Sequence, residues 1–207
     1  MRRAVPILIA VALGVGLVAA QSPFAAEGHG PAQLLESGRI AVDGRDTPYV
    51  IRHLPVNSFP DLPLAIQQEL TMRGCLIPQT YEARRPENVV HASLESAGSS
   101  DWAVLCSAKG VVSLLVFFSG SVGADSLVLA SAQETERLEA HGADNVLGFN
   151  WGIDKATPAQ VHEAQAGLTP RPLLIDHDAL ADETIDQRTV YHFYAKGAWR
   201  LLEMPVP

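Results

Sequence analysis

The chain has 207 residues, 47% of them hydrophobic and 18% charged, and its 23 acidic and 15 basic side chains give a net charge of −8. This length and apolar content are typical of one ordinary globular domain with a real core. The acidic balance disfavours nucleic acid and anionic membrane surfaces as partners, because a negative surface repels phosphate groups.

The first twenty residues have the layout of a secretory signal peptide. Arg2 and Arg3 supply the positive start, an uncharged apolar run covers 4–18, and Val18 and Ala20 are the small side chains that precede a cut. The alternative, a retained anchor, needs about 20 apolar residues. We therefore expect cleavage after Ala20 and a periplasmic or secreted mature protein. The mature chain would hold 13 basic and 23 acidic residues, a net charge of −10.

The next part of the sequence predicts a flexible leader and then a strand hairpin. Residues 21–36 are small and polar, so we place the single folded domain at 37–207. Asp43-Gly44, flanked by two β-prone segments, predicts the turn of a hairpin. Pro48 near the start of the second arm favours an edge position for that strand, because proline cannot donate to a ladder.

A helix and a three-stranded meander are predicted next. The helix pattern begins after Asp61, a suitable N-cap, and ends at Gly74. Three β-prone segments with short turns between them then predict antiparallel neighbours, at 88–96, 101–107 and 111–119.

The remaining elements complete a prediction of fold class. Two capping-box patterns, Ser131 with Glu134 and Thr157 with Gln160, each predict a short helix. Residues 189–204 predict a terminal hairpin rich in aromatic side chains. Together these elements predict one α+β domain, in which a central, mainly antiparallel sheet (the meander plus the C-terminal hairpin) is packed by two or three short helices.

The two cysteines, Cys75 and Cys106, predict one disulfide, because an even count in an exported protein favours pairing. The bond would join the end of the first helix to the middle strand of the meander. The alternative is two buried thiols. A catalytic pair is not indicated, because the chain has no C-x-x-C motif and neither cysteine is near a histidine in the sequence.

The segment SGSVG after the third meander strand partly matches the G-x-S-x-G pattern of hydrolases. Ser121 would be the nucleophile, and His177 or His192 with an upstream aspartate such as Asp154 would complete a triad. However, Ser119 stands at the first glycine position, and no long helix is predicted after the motif. A small-residue turn is therefore favoured, and a secreted serine hydrolase using Ser121 is kept as the first alternative function.

Asp176 and His177 begin an acidic segment that also contains Asp178, Asp182, Glu183 and Asp186. One histidine with carboxylates offers mixed nitrogen and oxygen ligands to a divalent cation. The spacing matches neither an EF-hand loop nor a zinc motif. A helical turn from Ala179, capped by Asp178, is favoured, and a metal-binding envelope protein using Asp176 and His177 is the second alternative function.

The C-terminal hairpin carries a cluster of aromatic side chains. Strand alternation places Tyr191 and Phe193 on one face and His192 and Tyr194 on the other, with Trp199 across the turn. Such a cluster is typical either of a ligand platform or of cross-strand core packing. We favour core packing.

Longer segments of the chain resemble two groups of known proteins. The segments GCLIPQ, DWAVLCS and YHFYAKGAW are similar to those of a group of secreted bacterial proteins without an established activity, which implies export and says nothing of mechanism. The stretch from Val89 to Gly120 resembles one repeat of FG-GAP/VCBS-type β-propeller modules, whose acidic loops often bind calcium. The matching loop keeps only Asp101, so calcium is not expected.

The leading functional hypothesis is therefore a non-enzymatic exported binding or interaction domain for an unknown ligand or protein. The sequence assigns no catalytic, cofactor-binding or metal-ligating residue, and the only paired site residues that it predicts are Cys75 and Cys106. No cofactor is expected.

Overall fold

A computed structural model describes residues 33–120 and 126–203. The predicted signal peptide, most of the predicted leader and Ser121 lie outside these residues. The described part contains two α-helices, α1 (Leu64–Met72) and α2 (Pro158–Ala164). Its strands are β1 (Leu34–Val42), β2 (Arg45–Pro55), β3 (Leu76–Gln79), β4 (Val89–Ala92), β5 (Asp101–Ala108), β6 (Val111–Phe117), β7 (Leu127–Gln133), β8 (Leu138–His141), β9 (Val146–Phe149), β10 (Trp151–Ala156), β11 (Ala179–Thr184), β12 (Arg188–Ala195) and β13 (Ala198–Glu203).

The strands form two sheets. The first has the order β7-β6-β5-β3-β2-β9-β8, with β1 beside β2 and β4 beside β5, and the second has the order β10-β11-β12-β13. The pair β2–β9 is parallel, and the other described pairs are antiparallel. The α+β class and the mainly antiparallel pairing agree with the prediction. The predicted single sheet is divided in two, because the meander lies in the first sheet and the C-terminal hairpin in the second.

Strands β1 and β2 form the predicted N-terminal hairpin. Asp43 and Gly44 have φ angles of 49° and 75°, and a two-residue turn of type I′ needs positive φ at both central positions. Strand β1 already begins at Leu34. Residues 34–36, which were predicted as the end of the leader, therefore belong to the sheet.

The edge position predicted from Pro48 is wrong. Strand β2 pairs with β1 on one side and with β3 and β9 on the other. Proline is tolerated there because pairing with β9 begins only at Tyr49. On the β1 side, Pro48 lies opposite Arg39, and the alternation that starts at the turn makes this a non-hydrogen-bonded pair. No ladder bond is lost.

The predicted meander of β4, β5 and β6 is confirmed. Val90, Ala92 and Leu94 are buried while His91 and Glu95 are exposed, as strand alternation predicts. Strand β5 is buried along nearly its whole length, because an apolar cluster covers each of its faces.

Helix α1 covers one face of β5. Ile66 and Leu70 of the helix are fully buried in a cluster with Val104 of the strand. The predicted cap at Asp61 is wrong, since the residue before the helix is Pro63 and no side chain caps it. Proline with its fixed φ is well suited to this place, because the missing N–H would have no partner in the first turn.

The disulfide between Cys75 and Cys106 is confirmed, with 5.0 Å between the two Cα atoms. Gly74, with a φ of 73°, ends the helix just before Cys75. The bond therefore fastens the end of α1 to the second half of β5.

The helix predicted from Ser131 and Glu134 does not form. Strand β7 runs through Gln133 on the edge of the sheet, and its Ser131 hydroxyl lies 2.8 Å from that of Ser113 on β6. A capping box is present two residues later, between Gln133 and Glu136, but it opens only a 3-10 turn before β8. Sheet pairing overrides the local helix signal here.

A short link joins β7 to β8. Strands β3 and β9 both pair with the side of β2 that β1 leaves open, so β7 and β8 lie on that same side of β2. The link contains the 3-10 turn Glu134–Glu136, and Glu134 lies against His53 of β2.

The second sheet contains the C-terminal hairpin, which is confirmed with Lys196-Gly197 at its turn. Helix α2 follows β10 and begins as predicted. The Thr157 side chain accepts a hydrogen bond from the Gln160 backbone, and the Gln160 side chain bonds back to the Thr157 backbone. This reciprocal pair fixes the direction in which the chain leaves β10.

Candidate functional site

A polar cleft of about 840 Å³ lies between the segment after β3 and the strands β10 and β11. It combines carboxylates, guanidinium groups and a few apolar side chains. It is lined by Thr80, Glu82, Ala83, Arg84, Arg85, Pro86, Glu87, Asn88, Val89, Val90, Gly152, Ile153, Asp154, Glu183 and Ile185.

The wall formed by residues 80–88, which we call the cleft loop, is closed by reciprocal hydrogen bonds at its base. The Gln79 side chain donates to the Glu87 carbonyl at 3.1 Å and accepts from the Glu87 N–H at 3.0 Å. The Glu87 carboxylate in turn accepts the Thr80 N–H at 2.8 Å. The base of the loop is thus held by the protein's own hydrogen bonds.

Two further side chains fasten the outer part of the cleft loop. Arg52 of β2 donates to the carbonyls of Thr80 and Ala83 at 2.8 and 2.7 Å. The Tyr81 hydroxyl donates to Asp186 at 2.9 Å. Burial, and then this hydrogen bond to the carboxylate, raise the pKa of Tyr81 to about 12. The phenol is therefore a neutral donor across the physiological range.

Asn88 ties the cleft loop to the second sheet. Its side chain is buried, donates to the carbonyls of Pro78 and Trp151 at 2.7 and 3.3 Å, and accepts the Ile153 N–H at 3.0 Å. Its φ of 69° is a left-handed conformation that asparagine tolerates better than most residues. One side chain thus fixes the distance between the two walls of the cleft.

The floor of the cleft carries two carboxylates on one face of the β10–β11 pair. Gly152 lies opposite Glu183, and Asp154 is two residues further along β10. Glu183 and Asp154 are therefore diagonal neighbours, about 7–8 Å apart in such pairs. Gly152 adds no side chain, so the space beside Glu183 stays open; an added Cβ would meet Thr80 and Ile185 only at 3.6 Å.

Negative charge is concentrated around Glu183. Burial raises the pKa of this carboxyl, and the charges of Asp154, Asp182 and Glu87 raise it further. Within residues 33–120 and 126–203, Glu183, Asp154 and Glu87 form no salt bridge. A positively charged group placed in the cleft would therefore meet carboxylates whose charges are uncompensated.

Positive charge is confined to the cleft loop. Arg84 and Arg85 are both exposed and both line the cleft. Neither takes part in a salt bridge in the described part of the chain. The cleft thus has an acidic floor and a loop wall of mixed charge, in which Arg84 and Arg85 stand beside the exposed Glu82.

The acidic segment singled out in the sequence is dispersed by the fold. Asp176 is exposed and accepts from His177, a hydrogen bond that lowers the pKa of Asp176. Asp178 does not cap a helix, because strand β11 begins at Ala179; its carboxylate accepts the Ser93 N–H at 3.1 Å. The strand prevails because β10 and β12 pair with β11 on both sides.

The other acids of this segment have separate partners. Asp182 accepts from the Trp151 indole at 2.7 Å and contacts His192 at 2.9 Å. Asp186 accepts from the Tyr81 hydroxyl, and Glu183 lies in the cleft. The structure therefore does not gather these carboxylates around His177.

The residues proposed for a serine triad are also separated by their contacts. Ser121 lies outside the described residues, so its role as a nucleophile stays a prediction. His192 contacts Asp182, not Asp154, and His177 contacts the Tyr194 carbonyl at 2.8 Å. Asp154 lies in the cleft.

The aromatic hairpin packs inward. Phe193 is buried and Tyr191 packs against the same apolar cluster. The Tyr194 and Trp199 rings are cross-strand neighbours, with centroids 5.6 Å apart, and both contact Phe118 of the first sheet's cluster. These rings join the two sheets.

Asp101, the aspartate kept from the propeller-type loop, orders that loop itself. Its buried carboxylate accepts from the N–H groups of Leu94 and Glu95, each at 2.8 Å, and of Ser119 at 2.5 Å. It also accepts from the Ser99 hydroxyl. Four donors therefore converge on this one carboxylate.

Comparisons with known proteins assign the chain to no family: no family model matches it, and neither a curated protein nor a solved structure is significantly similar to it. Among the residues that the structure describes, no helix is long and apolar enough to cross a membrane.

Proposed function

We propose that the chain is an exported binding protein whose cleft accepts a small ligand with a positively charged group. Export is supported by the signal-like first twenty residues and by the Cys75–Cys106 disulfide, because such bonds persist in oxidising compartments. The acidic net charge argues against nucleic acid as the ligand.

The observation that carries the proposal is the carboxylate floor. Glu183 is partly buried beside Asp154 in an open cavity, and neither has a salt-bridge partner in the described residues. A partly desolvated carboxylate without a counter-charge is unfavourable. A ligand ammonium group would supply that charge and form charge-assisted hydrogen bonds.

The cleft is also suited to bind without a large rearrangement. Hydrogen bonds donated by the side chains of Gln79, Arg52 and Asn88 already hold its loop wall. Preordering of this kind reduces the conformational entropy that is lost on binding. The proposal needs no catalytic residue, and the guanidinium groups of Arg84 and Arg85 give a zwitterion a second place to bind.

Titration calorimetry of the purified protein tests this function with three probes. We expect binding of 1,4-diaminobutane, binding of lysine, and no binding of succinate, an anion of similar length. Lysine should bind more tightly than the diamine if its carboxylate reaches Arg84 or Arg85. The Glu183→Gln variant should weaken diamine binding by about tenfold or more, since a hydrogen bond to a charged group contributes roughly 1.5–3 kcal/mol.

Glu203→Gln is the matched control, because Glu203 is an exposed carboxylate on β13 that does not line the cleft. Its diamine affinity should equal that of the wild type. The proposal is overturned if neither amine binds, or if Glu203→Gln and Glu183→Gln weaken binding to the same extent.

A further inference from the structure

A second cluster of ionisable groups lies in the first sheet, away from the residues that line the cleft. Glu36 of β1, His53 of β2 and Glu134, which follows β7, each offer one ligand atom, and the three atoms lie within 4.8 Å of one another. The three residues come from three separate segments of the chain. Their convergence therefore depends on the tertiary fold.

Two of the three groups are deeply buried. The His53 and Glu134 side chains are each 3% exposed, and His53 Nε2 lies 2.5 Å from Glu134 Oε1. Across the described ranges, no lysine or arginine forms a salt bridge with Glu36 or Glu134. A histidine–glutamate hydrogen bond accounts for two of the groups, but it leaves the second carboxylate without a counter-charge.

The backbone explains why Glu36 points to this place. Glu36 pairs with Ile51 across the β1–β2 ladder, so its side chain shares a face with His53, two residues further along β2. The Tyr49 hydroxyl donates to Glu36 at 3.3 Å, and the Tyr49 ring lies over Gly38, where an added Cβ would be 2.7 Å from it. The glycine thus lets Tyr49 hold the Glu36 carboxylate, as outer partners of metal ligands do.

We propose that Glu36, His53 and Glu134 bind a divalent first-row transition ion, with Zn²⁺ as the ion of choice. Imidazole with carboxylates is a ligand set suited to such ions, and imidazole disfavours Mg²⁺ and Ca²⁺. With metal–ligand distances of about 2.0–2.2 Å, tetrahedral ligands lie about 3.3 Å apart. The His53–Glu134 contact, now 2.5 Å, must therefore open by about 0.8 Å when the ion binds. Three protein ligands leave the fourth position to water.

Such a site would fasten the edge strand β1 to the link between β7 and β8. Calorimetric titration with Zn²⁺, on protein purified without a histidine tag, measures it directly. Saturating Zn²⁺ should also raise the melting temperature by about 5 °C or more, and Mg²⁺ should not. Co²⁺ should give the visible absorption bands of a four-coordinate ion.

Glu36→Gln is the decisive variant, because Glu36 is exposed and its replacement should leave the protein folded. We expect at least a tenfold loss of Zn²⁺ affinity, since even outer partners of metal sites contribute about 10–100-fold. His53→Gln should abolish binding, with folding checked by circular dichroism.

Two controls separate this site from the other acidic groups. Asp176→Asn removes the carboxylate beside His177, and Glu183→Gln removes one from the cleft; both should bind Zn²⁺ as the wild type does. The proposal is wrong if Zn²⁺ fails to bind, if Glu36→Gln binds it unchanged, or if either control loses it. Diamine binding in the cleft is independent of all three outcomes.

Discussion

The helix-covered side of β5 and the polar cleft are held together in different ways. On the first, α1 buries its apolar face against the strand, and the disulfide of Cys75 and Cys106 adds a covalent tie. At the cleft, the wall is held by side chains that bond to backbone groups, chiefly from Gln79, Arg52 and Asn88.

The two kinds of contact suit two different roles, stability on the helix-covered side of β5 and ligand binding at the cleft. Apolar burial is non-directional and strong, so it suits the part of the molecule that keeps the fold together. Directional polar contacts contribute less net stability but fix positions closely, which suits a wall that must present Glu183 and Asp154 to a ligand. The cleft loop is thus ordered by groups that do not block the cavity.

The largest effect is expected from removal of the disulfide. Cys75→Ala with Cys106→Ala should lower the free energy of unfolding by about 3–4 kcal/mol, because the bond closes a loop with a sequence separation of 31 residues. Urea unfolding measures the loss. If the two regions are independent, the folded variant retains its diamine affinity. If the disulfide-free variant lost as much diamine affinity as Glu183→Gln does, the helix-covered side of β5 and the cleft would not be independent.

A somewhat smaller loss of stability is expected at the cleft from Asn88→Ala. The substitution leaves the buried Ile153 N–H without its partner and removes bonds to two carbonyls, which should cost about 2–3 kcal/mol. Asn88→Gly is the control, because glycine accepts the positive φ without strain. The loss common to both variants in urea unfolding reports the side-chain bonds. If both variants unfolded at the wild-type urea midpoint, the Asn88 side-chain hydrogen bonds would contribute nothing to stability.

The smallest effect concerns pH. Folding raises the pKa of Glu183, chiefly through burial, so the unfolded chain loses this proton at lower pH than the folded protein does. The free energy of unfolding therefore falls as pH rises from 4.5, the ordinary pKa of a glutamate, through the raised pKa of Glu183. It stays lower at all higher pH values. Glu183→Gln should melt higher than the wild type at neutral pH, and the difference should disappear below pH 4.5. A difference that is constant with pH would contradict the burial of this carboxyl.

The parts of the fold that could be predicted are those with local chemical signals. Asp43-Gly44 requires a tight turn whatever surrounds it, and Thr157 with Gln160 satisfies helix donors within one turn. The meander followed from short links between apolar segments. The disulfide followed from two cysteines and the expected compartment.

The parts that could not be predicted depend on pairing between distant segments. Ser131 has a capping pattern, but its strand pairs with β6 and the helix is lost. Pro48 indicates an edge strand, but β9, which lies far along the chain, pairs with β2 at Tyr49 and Val50, the residues directly after Pro48. The division into two sheets has the same origin.

The candidate site was predicted only as separate residues. The sequence places Asp154 in a candidate triad and Glu183 in a candidate metal segment, because nothing local reveals that β10 and β11 bring them to one face. Glu87 gave no sequence signal at all. For Glu36 and Glu134, the approach to His53 depends on the pairing of β1 with β2 and on the place of the link after β7.

Locating the bound amine is the most direct test of the proposed binding site. Nuclear magnetic resonance of the ¹⁵N-labelled protein, titrated with 1,4-diaminobutane, follows every backbone amide at once. We predict that the amides of the cleft loop and of residues 152–154 and 183–185 shift together with one affinity, while those of α1 and the Cys75–Cys106 region stay in place. Shifts centred outside the cleft, or no saturable shifts, would contradict the claim that this cleft is the binding site.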